Sequence, residues 1–206
     1  MAMWTHTVRT GDTISRLAKE YRSSVKAITS ANGITNSHRI LPGQQIIVPG
    51  ADFNYPPEEI AVWAKLLFTA NSSPLGEMTA ITQYSFQSVI WDNLEAKKLL
   101  IEIARDEMEH LDTVSQILKN LGFEPRYWVV EPQVAYWNSG YINYSRNPNE
   151  ILEADIHSEY HAIKAYKELI AQVADPFIRH RINHILKDEE EHARKFEQLL
   201  RKIKGL

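Results

Sequence analysis

The sequence predicts a mainly α fold: a small N-terminal βααβ unit, then a four-helix bundle whose halves are joined by a long crossover. Three observations predict it. A pattern of carboxylates and a histidine occurs twice at an offset of 82 residues, first as Glu77, Glu107 and His110, then as Glu159, Glu189 and His192. The same offset aligns Ala80 with Ala162, Ile81 with Ile163, Tyr84 with Tyr166, Asp106 with Asp188 and Glu109 with Glu191, as duplication of a helical hairpin would leave them. The chain before residue 50 instead shows short apolar runs separated by Gly-Asp-Thr, Asn-Gly and Pro-Gly turn signals.

The N-terminal unit is placed at residues 4–49. It starts extended, turns at Gly11-Asp12-Thr13, and continues with Ile14, Leu17, Ala18 and Tyr21 at helical spacing. Asp12 or Thr13 is a natural N-cap. A second short helix, from Ser24 to Asn32, ends at Asn32-Gly33, and Leu41 to Pro49 reads as a turn and a strand. Residues 50–57, with Pro56 and Pro57, form a linker.

The bundle is placed at residues 58–206. Glu58–Ala70 reads as an amphipathic helix that Asn71-Ser72-Ser73-Pro74 breaks or recaps, because an interior proline is not tolerated and a first-turn proline is. Bundle helices are expected from Glu77 to about Val89, Leu94 to Leu121, Asn149 to Val173 and Pro176 to Ile203. Gly122–Pro148 is the crossover and is unusually aromatic, with Phe123, Tyr127, Trp128, Tyr136, Trp137, Tyr141 and Tyr144. A loop of this length is usually packed or functional. These rings are expected against the bundle side or a subunit interface, with a substrate lid or a second sugar surface as the alternative.

Helix geometry gives the repeated pattern its chemical meaning. Residues i and i+3 share a face, so Glu107 with His110, and Glu189 with His192, can each offer one oxygen and one nitrogen to a single point. The 30 residues from Glu77 to Glu107, and from Glu159 to Glu189, set mid-helix positions opposite each other in an antiparallel hairpin. One isolated Glu-x-x-His is usually a solvated helix face. Two copies, each with an upstream glutamate at the same distance, require three spacings to coincide. Over residues 58–203 the sequence resembles the ferritin-like dimetal-carboxylate proteins, in particular the rubrerythrin, bacterioferritin and manganese-catalase branches.

The resemblance implies two metal ions per chain, with iron first and manganese second. Glu77, Glu107, His110, Glu159, Glu189 and His192 would be both ligands and catalytic residues. Asp106 and Asp188 are placed to accept the outer N–H of a ligand imidazole, on their own helix or its partner, or else lie on an exposed face. Tyr84 and Tyr166, two turns after a ligand glutamate, point inward, where both core packing and a redox role fit. The implied activities are, in order, peroxide reduction or disproportionation, ferrous oxidation by dioxygen or peroxide, and iron storage. Storage comes last because storage ferritins usually lack the second histidine. Rubrerythrins carry a further carboxylate one turn before the third-helix ligand, and the matching residue is Ile156. Cysteine is absent, which excludes disulfides and the Cys-x-x-Cys iron site of full-length rubrerythrins. Peroxide would then be disproportionated, as in manganese catalases, or reduced by an external electron donor. A homodimer is the family default, and a non-catalytic wall or spore-coat scaffold with a metal-stabilised bundle is the alternative from another class.

The N-terminal unit closely resembles a LysM module through Val8, Gly11-Asp12-Thr13, Ile14, Leu17-Ala18, Tyr21, Val25, Ile28, Asn32, Pro42-Gly43-Gln44 and Ile46 to Pro49. This implies binding of peptidoglycan, chitin or a related N-acetylglucosamine glycan. Gly11, Asp12, Thr13 and Ile14 would form one side of the groove, and Asn32, Gly33 and Ile34 the other. A formal net charge of −3 argues against a nucleic-acid partner. No segment approaches the apolar length of a membrane span. Met1 to His6 shows no signal-peptide pattern, so the chain is expected in the cytosol, with deposition on a spore coat or cell wall as the setting that suits a glycan binder.

Overall fold

The structure is a computed structural model that describes residues 2–36, 40–50, 52–130 and 134–205. Met1, Leu206, Ala51 of the expected linker and residues 131–133 of the expected crossover lie outside the described residues. In chain order the elements are β1 (Met3–Thr7), α1 (Ile14–Glu20), α2 (Val25–Ala31), β2 (Gln45–Pro49), α3 (Pro57–Ser72), α4 (Glu77–Ile90), α5 (Leu94–Asn120), β3 (Trp128–Val129), β4 (Ala135–Tyr136), α6 (Pro148–Gln172) and α7 (Pro176–Lys204). The fold is mainly α, with a βααβ unit followed by a bundle in which α4 pairs with α5 and α6 with α7.

In the N-terminal unit, β1 and β2 pair antiparallel from Met3 opposite Pro49 to Thr7 opposite Gln45. Thr13 caps α1 by accepting from the Arg16 N–H, and Ser24 caps α2 by accepting from the Ala27 N–H. Of the two expected cap candidates Thr13 fills the role. Asp12 instead accepts from the Arg9 N–H and faces His6 Nε2 at 2.8 Å.

The long helices begin on side-chain caps: Asn93 for α5, Asn147 for α6 and Asp175 for α7, with proline in the first turn of the last two. Their buried residues recur at helical spacing, as in Leu100, Ile103, Val114 and Ile117 of α5 and Ile178, Ile182, Ile185, Phe196 and Leu199 of α7. Between α3 and α4 the chain breaks and restarts immediately before Glu77. Gly76 caps α4, and a Cβ there would stand 2.4 Å from the Ala70 carbonyl oxygen, so only glycine allows so close a return. The repeat offset equates this break with an unbroken stretch of α6, where Ser158 stands in place of Gly76.

The crossover is shaped by its aromatics. Trp128 and Phe123 pack on Phe68 of α3, and Trp137 Nε1 donates to Thr79 Oγ1 of α4 at 2.9 Å. It includes the β3–β4 hairpin and a 3-10 turn at Ser139–Tyr141, while Tyr127, Tyr136 and Tyr144 stay exposed.

Apolar residues form two layers, one at each end of the bundle. One contains Tyr84, Leu100, Ile103, Leu152, Phe196 and Leu199. The other contains Val114, Ile117, Leu118, Ile178, Ile182 and Ile185, and extends without interruption into Trp4, Ile14, Leu17, Tyr21 and Val48 of the N-terminal unit. Trp4 sits at that junction, its ring 4.9 Å from Phe177 of α7 and 6.1 Å from Phe53 of the connecting chain. Asp175 ties the same seam: besides capping α7 it accepts from Arg22 Nη1 at 2.8 Å and from the Tyr55 hydroxyl at 3.0 Å. Trp4→Ala is therefore expected to cost about 3–5 kcal/mol and to lower the stability of the whole chain. Denaturant unfolding followed by tryptophan fluorescence and by circular dichroism checks this, and separate melting of the N-terminal unit would contradict it.

Candidate metal centre

Six side chains converge between the two apolar layers: Glu107 and His110 from α5, Glu189 and His192 from α7, Glu77 from the first turn of α4 and Glu159 from the middle of α6. None is more than 4% exposed. They form two groups, Glu77–Glu107–His110–Glu189 and Glu107–Glu159–Glu189–His192, in each of which the candidate ligand atoms lie within 4.8 Å of one another. Glu107 and Glu189 belong to both groups, whereas Glu77 and Glu159 each belong to one.

The distances follow the same approximate two-fold relation. His110 Nδ1 lies 2.9 Å from Glu189 Oε1, 3.0 Å from Glu107 Oε2 and 3.7 Å from Glu77 Oε2. His192 Nδ1 lies 3.1 Å from Glu107 Oε1, 3.7 Å from Glu159 Oε2 and 3.9 Å from Glu189 Oε2. Yet Glu107 Oε1, Glu189 Oε1 and His192 Nδ1, all buried, make no hydrogen bond of acceptable direction. Buried polar atoms are ordinarily paired, so atoms this close that still do not bond to one another are better explained by lone pairs aimed at a common point. Carboxylate oxygens with imidazole nitrogens suit iron or manganese.

A second ring of contacts holds these groups. His110 Nε2 faces Asp188 Oδ2 at 3.4 Å, and His192 Nε2 faces Asp106 Oδ2 at 3.3 Å. Each aspartate thus reaches the histidine of the neighbouring helix, not that of its own. An Nε2–H given to the aspartate leaves Nδ1 to face the cluster. The Tyr84 hydroxyl donates to Glu159 Oε1 and the Tyr166 hydroxyl to Glu77 Oε1, so each tyrosine crosses to the other hairpin's outer glutamate.

Crowding like charges in a dry site divides the carboxyls into two kinds. Burial, reinforced by Glu107 and Glu189, pushes Glu77 and Glu159 well above the usual carboxylate range. Burial acts on Glu107 and Glu189 in the same direction, but His110 and His192 outweigh it and hold both below that range. The imidazoles respond in kind: burial lowers them, the surrounding carboxylates raise them further, and both end well above the usual histidine value. Burial and the adjacent glutamates keep Tyr84 and Tyr166 protonated as donors.

A cavity of about 20 Å³ opens onto the four carboxylates and is lined by Ala80, Ala162, Ala165, Tyr84 and Tyr166. It holds roughly one water-sized molecule.

One buried group escapes the repeat. Asp155, fully buried one turn before Glu159, accepts from Gln83 Nε2 at 2.8 Å and Gln87 Nε2 at 3.0 Å through the same oxygen, while Oδ2 has no partner. Gln83 in turn accepts from the Asn143 N–H of the crossover. Burial raises Asp155 to about 7 against the two amide donors. Its signal in the sequence was a carboxylate on the buried stripe Ile151–Asp155–Glu159. Ile156, the position considered for an extra carboxylate, packs on the apolar layer instead.

A family model of the ferritin-like domain matches residues 75–206. The chain belongs to the ferritin-like family. Among relatives of this ferritin-like chain, a probable manganese catalase of Clostridium acetobutylicum is 28% identical over 63% of the chain. The match spans 66% of that relative, just under two thirds of its length. A bacterioferritin of Rhodobacter capsulatus is 27% identical over 63% of the chain and 79% of its own length. Among solved structures, a manganese catalase from Anabaena superposes with a TM-score of 0.65 at 23% identity, covering 74% of this chain and 76% of that one. A Desulfovibrio desulfuricans bacterioferritin superposes with a TM-score of 0.62 at 24% identity, covering 75% and 86%. These likenesses agree with the ferritin-like fold.

A LysM model matches residues 6–49, which suggests glycan binding. The residues considered for the groove differ in availability. Gly11, Thr13 and Gly33 are exposed, Asp12 and Ile34 are half-buried, and the Ile14 side chain is fully buried. Asn32 is held by Ile28 O and by both backbone groups of Ile47. Ile14 therefore offers only backbone to a ligand. Among the described residues no helix is long and apolar enough to cross a membrane.

Three outcomes are expected. Glu107→Gln should weaken binding of both metal ions, whereas Glu77→Gln should weaken one, as read by isothermal titration with Mn²⁺. Loading should release protons from His110 and His192, seen as a heat that varies with buffer ionisation. For Asp155, a folded value of about 7 exceeds the ordinary 3.8. Its contribution is therefore fully present below about pH 4 and is lost as pH rises towards 7, by up to about 1.4 kcal/mol per pH unit. Asp155→Asn should remove that slope, so that the variant gains on wild type between pH 4 and 8 in denaturant melts.

Proposed function

We propose that the chain is a dimetal oxidoreductase that consumes peroxide and is anchored to an N-acetylglucosamine glycan by its LysM module. The observation that carries this reading is the pair of Glu/Glu/Glu/His groups sharing Glu107 and Glu189, with a small cavity of about 20 Å³ on the carboxylate side. Two adjacent iron or manganese ions would supply the pair of electrons that cleaves the O–O bond of one peroxide and, in disproportionation, would accept the pair released when a second peroxide is oxidised to dioxygen. Glu107 and Glu189 would contribute to holding both ions, Glu77 with His110 would help hold one, and Glu159 with His192 the other. Asp188 and Asp106 hold the imidazoles in orientation across the α5–α7 contact. Tyr84 and Tyr166 fix the outer glutamates and offer hydroxyl protons at the cavity wall. Ala80, Ala162 and Ala165 leave room for a small molecule beside the carboxylates.

Disproportionation in the manner of a manganese catalase is supported by that relative and needs no electron donor. Ferrous oxidation by peroxide or dioxygen is the second reading, supported by the bacterioferritin likeness, and would draw on iron or an external donor. The LysM module favours attachment to peptidoglycan in a cell wall or spore coat. Assembly as a homodimer would strengthen weak single-module binding through avidity.

Metal analysis of protein produced with iron and manganese, followed by peroxide addition under an oxygen electrode, tests the reading. Two manganese per chain with oxygen release identify disproportionation, and two iron with donor-dependent peroxide loss identify a peroxidase. Glu107→Ala and His192→Ala should lower turnover by more than about 100-fold. Unchanged peroxide loss in both variants would reduce the bundle to a metal-stabilised scaffold. Asp12→Ala should impair sedimentation with insoluble peptidoglycan and leave peroxide consumption intact.

A further inference from the structure

A second group of metal-ligating side chains lies outside the buried centre, on the exposed face of α7. His180 and His184 are one turn apart, and their Nε2 atoms approach to 3.3 Å with the rings nearly perpendicular, at 85°. Two imidazole nitrogens bound about 2.0–2.1 Å from one tetrahedral ion would stand roughly 3.3 Å apart, so this pair already has the bite of a two-nitrogen chelate. One turn further along the same face is Asp188, whose Oδ2 contacts Nε2 of the ligand His110. His180, His184, Asp188 and His110 line one cleft of about 1020 Å³ between the N-terminal unit and the bundle. Carboxylates outnumber lysines and arginines around this cleft by six to four, and Arg9 and Arg181 are paired with Glu109 and Glu20. The cleft therefore favours a cation at its histidines, and its floor is the outer wall of the buried cluster.

We propose that His180 and His184 form a docking site for a divalent transition metal ion that raises its concentration beside Asp188 and so speeds loading of the buried centre. The delivery role rests on the dimetal reading of that centre, whereas the docking site itself does not. Partial burial and the neighbouring His180 hold His184 below the usual histidine value, which keeps its ring neutral and able to bind metal near pH 7. The geometry would also accommodate one Nε2–H donating to the other Nε2, an arrangement that predicts no bound ion.

The test compares full-length wild type with H180A/H184A, whose substitutions lie on an exposed helix face and favour helix. After equilibrium dialysis against micromolar Zn²⁺, wild type should retain one more zinc per chain than the variant. Mn²⁺ uptake by chelator-stripped protein, followed by loss of the free-ion electron paramagnetic resonance signal, should be several-fold slower in the variant and reach the same end point. Equal zinc retention, or equal uptake rates, would overturn the proposal. Failure of the dimetal reading would look different, as no Mn²⁺ uptake by wild type itself while the single zinc difference persists.

Discussion

The structure is organised around four carboxyls and two imidazoles enclosed at the centre of a helical bundle. Isolated charges in such a place would cost far more than the net stability of a domain, so each must be compensated. Compensation comes partly from within the cluster, where the two histidines hold Glu107 and Glu189 ionised. It also comes from outside, where Asp106 and Asp188 face the imidazoles and Tyr84 and Tyr166 bond the outer glutamates. These bonds run between hairpins, so the charged centre joins the two halves of the duplication. Apolar layers on either side then hold water away from it.

The candidate ligands obey the repeat more faithfully than the scaffold does. Glu159 lies within an unbroken α6, but Glu77 opens α4 after a break that Gly76 alone makes possible. On the broken side the crossover packs its tryptophans against α3 and α4, and its Asn143 reaches Gln83 and so Asp155. One flank of the centre is thus an unbroken helix that carries the buried Asp155, and the other combines a helix start with an aromatic loop that reaches that aspartate through Gln83.

The N-terminal unit also changes what the bundle presents to solvent. Its Trp4 and Tyr21 join the bundle core at Phe177, and Arg22 and Tyr55 meet on the buried Asp175. Docked in this way, it turns an open helix face into a cleft bounded by Asp12 and Thr13 on one side and by Asp106, Asp188 and His110 on the other. The proposed glycan loop and the outer wall of the candidate metal centre therefore share one solvent space.

The convergence of the six candidate ligands was legible in the sequence because an α-helix converts spacing into direction: i with i+3 on one helix, and 30 residues around a hairpin, leave few other arrangements for Glu107, His110 and their repeats. The helix limits were legible for the same local reason, since Asn93, Asn147 and Asp175 cap where proline or apolar periodicity begins. Contacts between helices carry no such periodicity. That Asp188 reaches His110 and not His192, that Tyr84 bonds Glu159 and not Glu77, and that Asp155 is buried with an unpaired oxygen depend on how the hairpins are rotated against each other. The seam between the N-terminal unit and α7 was hidden for a related reason. Trp4, Phe53 and Tyr55 look in the sequence like ordinary residues of a short module and a linker, and only long-range packing shows that they complete the core.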